Sequence, residues 1–477
     1  MKYRHTKIIF TVGPATESEE MLRQLIQAGG NVCRLNMAHA SHEWCRTIAA
    51  RVRGLSEELR LPVALMMDIK GPEVRTGALE EPISLDVGDL VVIGPSQALA
   101  EEVRQDGEHV MTTNYPGLAK DVVTGGTLLV DNGMIQMEIL EIERDCVHCR
   151  VNNRGVLGSR RHINLPGVTT RLPAITQKDR EDAAVGMALD VDYFAMSFVR
   201  QADDVDLLRR YLSENNCDAR IIAKIEDQSA IENLEEIIQA ADCLMVARGD
   251  LGIEVPFEKL PIIQRRAVNL CLKMGRSVII ATHLLESMIK SPVPTRAEIT
   301  DVANSVIEQA DCLMLSGETT VGKHPVRCVN ILDRTIRSIE ESLSGEHNDC
   351  LELKTSKAKI LRSAVVLAED LGGAGIVVFT RNGYLARTLS LLRPLRSPIY
   401  AFTDQPIVYH QMSMLWGVSP LFIPLDHDSE AVITEAFSTL IKRNSAKPGD
   451  SLVVISNVLL KGEILDTVQL RQIPLEG

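Results

Sequence analysis

The chain has 477 residues, enough for several domains, and 45% of them are hydrophobic, enough to fill several cores. A formal net charge of -13 argues against general affinity for nucleic acid, whose backbone is bound through basic surfaces, so anionic ligands must be met by local clusters of cations. The apolar run within Met1 to Phe10 is too short for a signal peptide and no uninterrupted span suits a membrane helix, so the expectation is a soluble cytoplasmic protein with neither membrane nor nucleic-acid partners.

In chain order, mostly continuous apolar stretches predict strands buried on both faces at Lys7 to Val12, Asn31 to Leu35, Val63 to Met67, Tyr193 to Met196, Ile221 to Ile225, Cys243 to Val246, Val278 to Ala281 and Cys312 to Leu315. Helical patterns lie between them. Met21, Leu22, Leu25 and Ile26 recur at helical spacing before Gly29-Gly30, and Thr295 opens a stretch that keeps Ile299, Val302 and Val306 on one face. About eight strand-helix units predict an α/β chain built on a (β/α)8 TIM barrel, whose active site forms at the C-terminal ends of the strands. Polar residues stand at those ends: Arg34 and Asn36, Asp68 and Lys70, Ser197, Lys224 and Glu226, Arg248 and Asp250, Thr282 and His283, Ser316 and Glu318. A full ring of them is hard to explain by packing.

After the third strand the pattern changes to short strands with turn signals such as Asp131-Asn132-Gly133, which predicts an all-β domain inserted over residues 71-172. The barrel then comprises 1-70 and 173-343. A polar linker, Ser344 to Asp349, leads to a C-terminal α/β domain over 350-477, with strands at Ile376 to Phe379, Ile399 to Phe402, Leu421 to Ile423 and Leu452 to Ile455. The 10 cysteines are scattered, and Cys33, Cys243 and Cys312 fall in predicted core strands as small apolar residues. Cys146, His148 and Cys149 invite a metal, yet no second ligand pair lies nearby and the surroundings suggest an alternating strand.

Two segments carry the chemistry: Lys224-Ile225-Glu226 and Arg248-Gly249-Asp250-Leu251-Gly252. Two carboxylates satisfy only part of an octahedral Mg²⁺ shell, leaving places for water and an anionic substrate. Lys224 can offset charge on a migrating phosphoryl group, and Gly249 lets backbone N–H groups approach an anion. An ordinary strand-end salt bridge between Lys224 and Glu226 is the alternative for that motif alone.

Ordered segments along nearly the whole chain carry a resemblance. They include Thr6-Lys7-Ile8-Ile9 with Gly13-Pro14-Ala15-Thr16, Asn31-Val32-Cys33-Arg34-Leu35-Asn36, Asp68-Ile69-Lys70-Gly71-Pro72-Glu73-Val74-Arg75-Thr76-Gly77, Asn164-Leu165-Pro166-Gly167, Lys224-Ile225-Glu226, Pro294-Thr295-Arg296-Ala297-Glu298 and Leu315-Ser316-Gly317-Glu318-Thr319. With them the chain resembles the pyruvate kinase family, which implies phosphoryl transfer from phosphoenolpyruvate to ADP, giving ATP and pyruvate in glycolysis. The resemblance further implies a homotetramer, allosteric control, and a mobile inserted lid with hinges near Gly71-Pro72 and Leu172-Pro173.

By the same resemblance, Glu226 and Asp250 hold Mg²⁺ (or Mn²⁺), Lys224 and Arg34 cradle the phosphoryl oxygens, and the backbone at Gly249 and Asp250 meets the substrate carboxylate. Thr282 lies near the enolate carbon and delivers a proton directly or through water and Ser316; capping of a helix after a strand is the alternative for both hydroxyls. Nucleotide contacts fall to Pro14, Arg34, Asn36, His39, Arg75 and Arg161, the last standing where lysine is usual. A K⁺ site takes oxygens from Asn36, Asp68 and the Ile69 carbonyl, but Ala38 replaces the usual serine and weakens it, although Glu73 is the residue type associated with potassium dependence. His283 replaces the usual glutamine.

The C-terminal domain departs from members activated by fructose 1,6-bisphosphate. Thr380-Arg381-Asn382-Gly383-Tyr384-Leu385 keeps a threonine, cation and glycine but lacks the last serine, and Ser456-Asn457-Val458-Leu459-Leu460-Lys461 has neither tryptophan nor arginine. A sugar monophosphate or nucleotide effector held by Thr380, Arg381 and Asn382 is the expectation, against a loop that only turns the chain. Two other readings stay open: a metal-dependent lyase or aldolase acting on pyruvate-like acids, and a metabolite-binding paralogue, for which Ala38 is the main reason.

Overall fold

The computed structural model describes residues 3–343, 351–425, 428–460 and 463–475, of which 457–460 and 463–465 are described by their backbone alone; the expected linker Ser344 to Asp349 and Lys461 lie outside them. Eight strands close a parallel barrel: Lys7–Thr11, Val32–Asn36, Ala64–Ile69, Tyr193–Met196, Arg220–Ile225, Cys243–Ala247, Ser277–Ala281 and Cys312–Leu315, with the first pairing both the second and the eighth. The fourth and eighth have the expected bounds. The third reaches two residues further than the apolar run suggests, because Asp68 pairs in register with Asn36 and Ile69 with Met196. Those ladder positions fix the polar tips where a loop would leave them free.

Inside the barrel, Ile9, Met66, Ala195, Ile222, Met245 and Ile279 form a buried apolar plug, and a second, larger cluster fills the space between strands and helices. The helices start where capping chemistry allows. Ser18 accepts from Met21 N to open Glu19–Gln27, and Thr295 with Glu298 forms a reciprocal capping box on Arg296–Ile307. Among the described residues no helix is long and apolar enough to cross a membrane.

The insertion carries a six-stranded sheet and a two-stranded one, plus two short helices, Gln97–Val103 and Leu118–Asp121, that were not anticipated. Ser96 caps the first of these, a four-residue signal that a mostly β context hides. Strand Cys146–Val151 is buried at every position but Arg150, so it does not alternate, and His148 Nδ1 lies 2.8 Å from Glu108 Oε1. No cluster of three or more His, Cys, Asp or Glu suited to a metal exists among the described residues. The lid meets the barrel where Asn164 Nδ2 donates to Glu254 Oε1 at 3.0 Å, beside a cavity of about 60 Å³.

The C-terminal sheet has the order Val418–Phe422, Ile399–Thr403, Gly375–Phe379, Ser451–Leu460, Glu463–Gln472, parallel except for the last pair. Pro420 is tolerated because its strand lies on the sheet edge. This domain packs under the N-terminal ends of the barrel strands. Arg393 and Asp311, both fully buried, pair across that junction at 2.9 Å, and Tyr193 Oη donates to the Gln411 carbonyl at 2.6 Å.

Candidate active site

At the C-terminal mouth of the barrel two cations share one carboxylate. Arg34 on the second strand places Nε 2.7 Å from Asp68 Oδ2, and Lys224 on the fifth places Nζ 3.2 Å from Asp68 Oδ1 and 2.9 Å from Glu226 Oε1. Lys224 Nζ also donates to Ser197 Oγ at 2.7 Å, and Ser197 Oγ donates to the Ile69 carbonyl at 2.9 Å. Burial opposes ionisation of Asp68, but Lys224 and Arg34 outweigh it and hold the carboxyl below its ordinary value. Burial likewise opposes charge on Lys224; Asp68 and Glu226 reverse that and raise it, so the ammonium is secure at neutral pH. The Lys224–Glu226 strand-end bridge is thus real, and it belongs to a larger network.

Glu226 behaves differently. Burial pushes its carboxyl up to about 7, with repulsion from Asp250 adding to the rise, against Lys224 and the Phe198 N–H that donates to Oε2 at 2.7 Å. Asp250 sits in the first turn of the helix Arg248–Glu254, and among the described residues no donor reaches its carboxylate. Two crowded carboxylates, one of them unsatisfied, fit a divalent cation that relieves their repulsion. The monovalent set fits less well. Asp68 already accepts from Arg34 and Lys224, the Ile69 carbonyl accepts from Ser197, Asn36 Oδ1 accepts the Ala38 N–H at 3.2 Å, and Ala38 offers no side-chain oxygen.

Thr282, just past the seventh strand, has φ +67°, and His283 follows at φ +54°. A β-branched residue rarely adopts this left-handed conformation. Three contacts hold it: Gly249 N–H donates to Thr282 Oγ1 at 2.8 Å, and Arg248 Nε and Nη2 donate to the Thr282 carbonyl at 3.2 and 2.7 Å. Arg248 is itself anchored by Asp301 Oδ1 at 2.8 Å. Thr282 Oγ1 donates to the Ala281 carbonyl at 2.6 Å. Ser316 Oγ, after the eighth strand, is buried with no hydrogen-bond partner, while its N–H donates to Glu318 Oε2 at 2.8 Å. Glu318 Oε1 accepts from Leu285 N at 3.0 Å, tying the seventh and eighth loops together.

The remaining candidates are more dispersed. Pro14 and His39 are exposed at the rim. Arg75 Nε lies 2.6 Å from Glu73 Oε2, which Lys70 also meets at 3.0 Å, and Arg161, half-exposed on the lid, reaches Asp131 Oδ1 at 3.4 Å. Thr380, Arg381 and Asn382 belong to the far end of the molecule. Thr380 Oγ1 accepts from Gly383 N and Asn382 Oδ1 accepts from Tyr384 N, so both side chains already serve the turn, while Arg381 reaches outside it, with Nε 3.3 Å from Asp404 Oδ2 and Nη2 donating to the Leu425 carbonyl at 2.9 Å. Ser197 was visible in the sequence only as one polar residue of the ring. Thr11, whose Oγ1 accepts from Arg34 Nη1 at 3.2 Å, and Asp301 gave no signal at all, being an inward residue within a strand and a helix-face carboxylate.

Residues 3–329 match the family described as pyruvate kinase, barrel domain, and residues 358–468 the one described as pyruvate kinase, alpha/beta domain. The chain is 38% identical to plastidial pyruvate kinase 2 of Arabidopsis thaliana over 95% of this chain and 78% of that protein. It is equally, at 38%, identical to a pyruvate kinase of Dictyostelium discoideum over 95% and 91%. The crystal structure of a pyruvate kinase from Cryptosporidium parvum superposes with a TM-score of 0.91 at 34% identity, covering 99% of this chain and 96% of that one. A closed barrel with charged strand tips, an inserted lid, an α/β tail and these matches along the chain lead to one assignment: the chain belongs to the pyruvate kinase family.

Proposed function

We propose that this chain transfers the phosphoryl group of phosphoenolpyruvate to ADP, forming ATP and pyruvate. The observation that carries the reading is the pair of cations, Arg34 and Lys224, braced by one buried carboxylate at the mouth of the barrel. The ester O–P bond breaks as a terminal oxygen of ADP bonds phosphorus, and the enolate left behind takes a proton at its methylene carbon. Little covalent work falls to the protein; fixed charge placed where charge migrates does most of it. Lys224 and Arg34 meet the phosphoryl oxygens. Asp250 N–H, in a helix first turn without an intrahelical acceptor, faces the substrate carboxylate, whereas the Gly249 N–H is already committed to Thr282 Oγ1. Thr282, held in its strained conformation, supplies or relays the proton, with the unpartnered Ser316 Oγ as its partner.

Glu226 and Asp250 would hold Mg²⁺ or Mn²⁺, which supplies charge neutralisation for the anionic substrate. K⁺ binds weakly in this proposal, to Asn36, Asp68 and the Ile69 carbonyl, one oxygen short. Arg75, Arg161, Asn36, Pro14 and His39 contact the nucleotide, and closure of the lid over it excludes water. Assembly as a homotetramer, residence in the cytoplasm and an effector on the Thr380 to Asn382 loop complete the proposal.

A coupled assay for pyruvate, run with phosphoenolpyruvate, ADP and Mg²⁺, tests it. Pyruvate should form only when ADP is present. ADP-independent release of pyruvate would favour a lyase, and metabolite binding without turnover would favour a binding protein. Asp250→Asn should weaken Mg²⁺ binding in a metal titration; an unchanged titration would remove it from the ligand set.

A further inference from the structure

The segment Ser197 to Arg200, directly after the fourth strand, touches both ends of the lid at once. Phe198 lies so near the entry hinge that a Cβ on Gly71 would come within 3.3 Å of its Cδ2. Its ring also packs on the lid's His162, with centroids 5.9 Å apart and planes tilted by 56°. Two residues on, Arg200 fastens the exit hinge: Nη1 donates to the Thr170 carbonyl at 2.7 Å and Nη2 to the Leu172 carbonyl at 2.9 Å. The same segment reaches the metal carboxylates. Phe198 N–H donates to Glu226 Oε2 at 2.7 Å, while Lys224 Nζ meets the other oxygen at 2.9 Å. Phe198 presents that N–H from a left-handed backbone, φ +54°, which a bulky side chain adopts only where its surroundings impose it. Its ring contacts supply the constraint. Gly71 is itself at φ +69° with its N–H held by Asp179 Oδ1 at 2.9 Å, so the ring meets a fixed hinge on one side and the lid on the other.

Given Glu226 and Asp250 as the ligands of the divalent cation, a reading on which this rests, we propose that Phe198 is a positioning residue that couples the lid to the metal site. Its ring senses the seating of the lid through His162, and its N–H aims the carboxylate of Glu226. A seated lid holds the ring, the ring holds φ, and φ sets the direction of the N–H. With Lys224 as its only donor the Glu226 carboxylate could turn about its last bond; the second donor, on Oε2, fixes its plane. Outer donors of this kind orient a metal ligand, and losing one costs about ten- to a hundredfold in metal affinity. The coupling is reciprocal by linkage, so a cation held by Glu226 steadies the contact between His162 and Phe198 in return.

Mn²⁺ binding tests this without substrate or turnover, because the unbound ion is counted directly by electron paramagnetic resonance. The intact parent is titrated beside His162→Ala, His162→Phe, Phe198→Ala, the double variant His162→Ala with Phe198→Ala, and Glu226→Gln, each with its melting temperature measured. Either alanine variant should bind Mn²⁺ about tenfold more weakly than the parent, and the double variant no more weakly than Phe198→Ala alone. His162→Phe, which keeps a ring and removes the imidazole, should bind like the parent. Amide hydrogen exchange over residues 162–164 should slow when Mn²⁺ saturates the parent and stay unchanged when it saturates Phe198→Ala. If Phe198→Ala does not fold, His162→Ala and its rescue by His162→Phe decide the matter alone. Alanine variants that bind as tightly as the parent, additive losses in the double variant, or a His162→Phe protein as weak as His162→Ala would overturn the coupling and leave the metal site standing. Glu226→Gln binding Mn²⁺ like the parent would instead remove Glu226 from the ligand set, and the coupling with it.

Discussion

The N–H of Gly249 donates to Thr282 Oγ1 at 2.8 Å, joining the loop after the sixth barrel strand to a threonine held at φ +67° beyond the seventh. That conformation costs on the order of 1–3 kcal/mol and persists because Gly249 and Arg248 over-determine it. Thr282→Ala should keep the fold but lower turnover by about two powers of ten, the usual contribution of a placed proton donor. Thr282→Gly should lose as much activity while unfolding at the same temperature or higher, because glycine adopts this conformation freely. Parallel rate and melting measurements decide it; a glycine variant that melts well below the alanine variant would show that no strain is stored there.

Asp68 joins Arg34 and Lys224, so it links stability to pH. Its folded carboxyl lies below the ordinary 3.8 of the unfolded chain. Its contribution is fully present above that value and is lost as pH falls through the folded one. Asp68→Asn should remove roughly 3 to 5 kcal/mol at pH 7, as for one partner taken from a buried ion pair, and should flatten the acid limb of the unfolding profile. An unchanged acid limb would contradict the assignment.

Glu254 carries the opposite sign. Burial raises its carboxyl to about 7 from an ordinary 4.5, with the Asn164 amide only partly offsetting it. Between those values the folded protein holds a proton that the unfolded chain has shed, so stability at this lid contact falls as pH rises through the window and is level above it. Amide hydrogen exchange near Asn164 and Leu165, corrected for intrinsic rates, should show declining protection from pH 5 to 7. Glu254→Gln should remove the slope. The same slope in the variant would assign it to another group.

Ala38 gives a test of ligand counting. With Asn36, Asp68 and the Ile69 carbonyl as the only donors, K⁺ should activate by a small factor or only at high concentration, and Ala38→Ser should lower the concentration for half activation. Initial rates across a KCl series at constant ionic strength measure both. Tight activation of the parent with no response to serine would show that position 38 is irrelevant to the cation.

The barrel was legible because a strand buried on both faces leaves an uninterrupted apolar run, and its polar tips break that run where chemistry sits. The helix start at Thr295 was legible from its capping residue, whereas the cap at Ser18 was not read and only the apolar spacing of Met21, Leu22, Leu25 and Ile26 marked that helix. The final strand, Glu463–Gln472, was not, since an edge strand with mixed polarity carries neither a buried run nor clean alternation. Nor was the positive φ of Thr282, which runs against the preference of its side chain and arises from tertiary contacts with Arg248 and Gly249. The sharing of Asp68 between Arg34 and Lys224 likewise joins three strands far apart in sequence, so spacing cannot reveal it.

The central claim is direct phosphoryl transfer assisted by Lys224, and phosphorus NMR follows the atom concerned. With ADP and Mg²⁺, the phosphoenolpyruvate signal of the parent should be replaced by the terminal phosphate of ATP, and Lys224→Met, folded and still binding metal, should make this slower by about two to three powers of ten. Accumulation of inorganic phosphate without ATP, or a Lys224→Met protein as fast as the parent, would contradict the account.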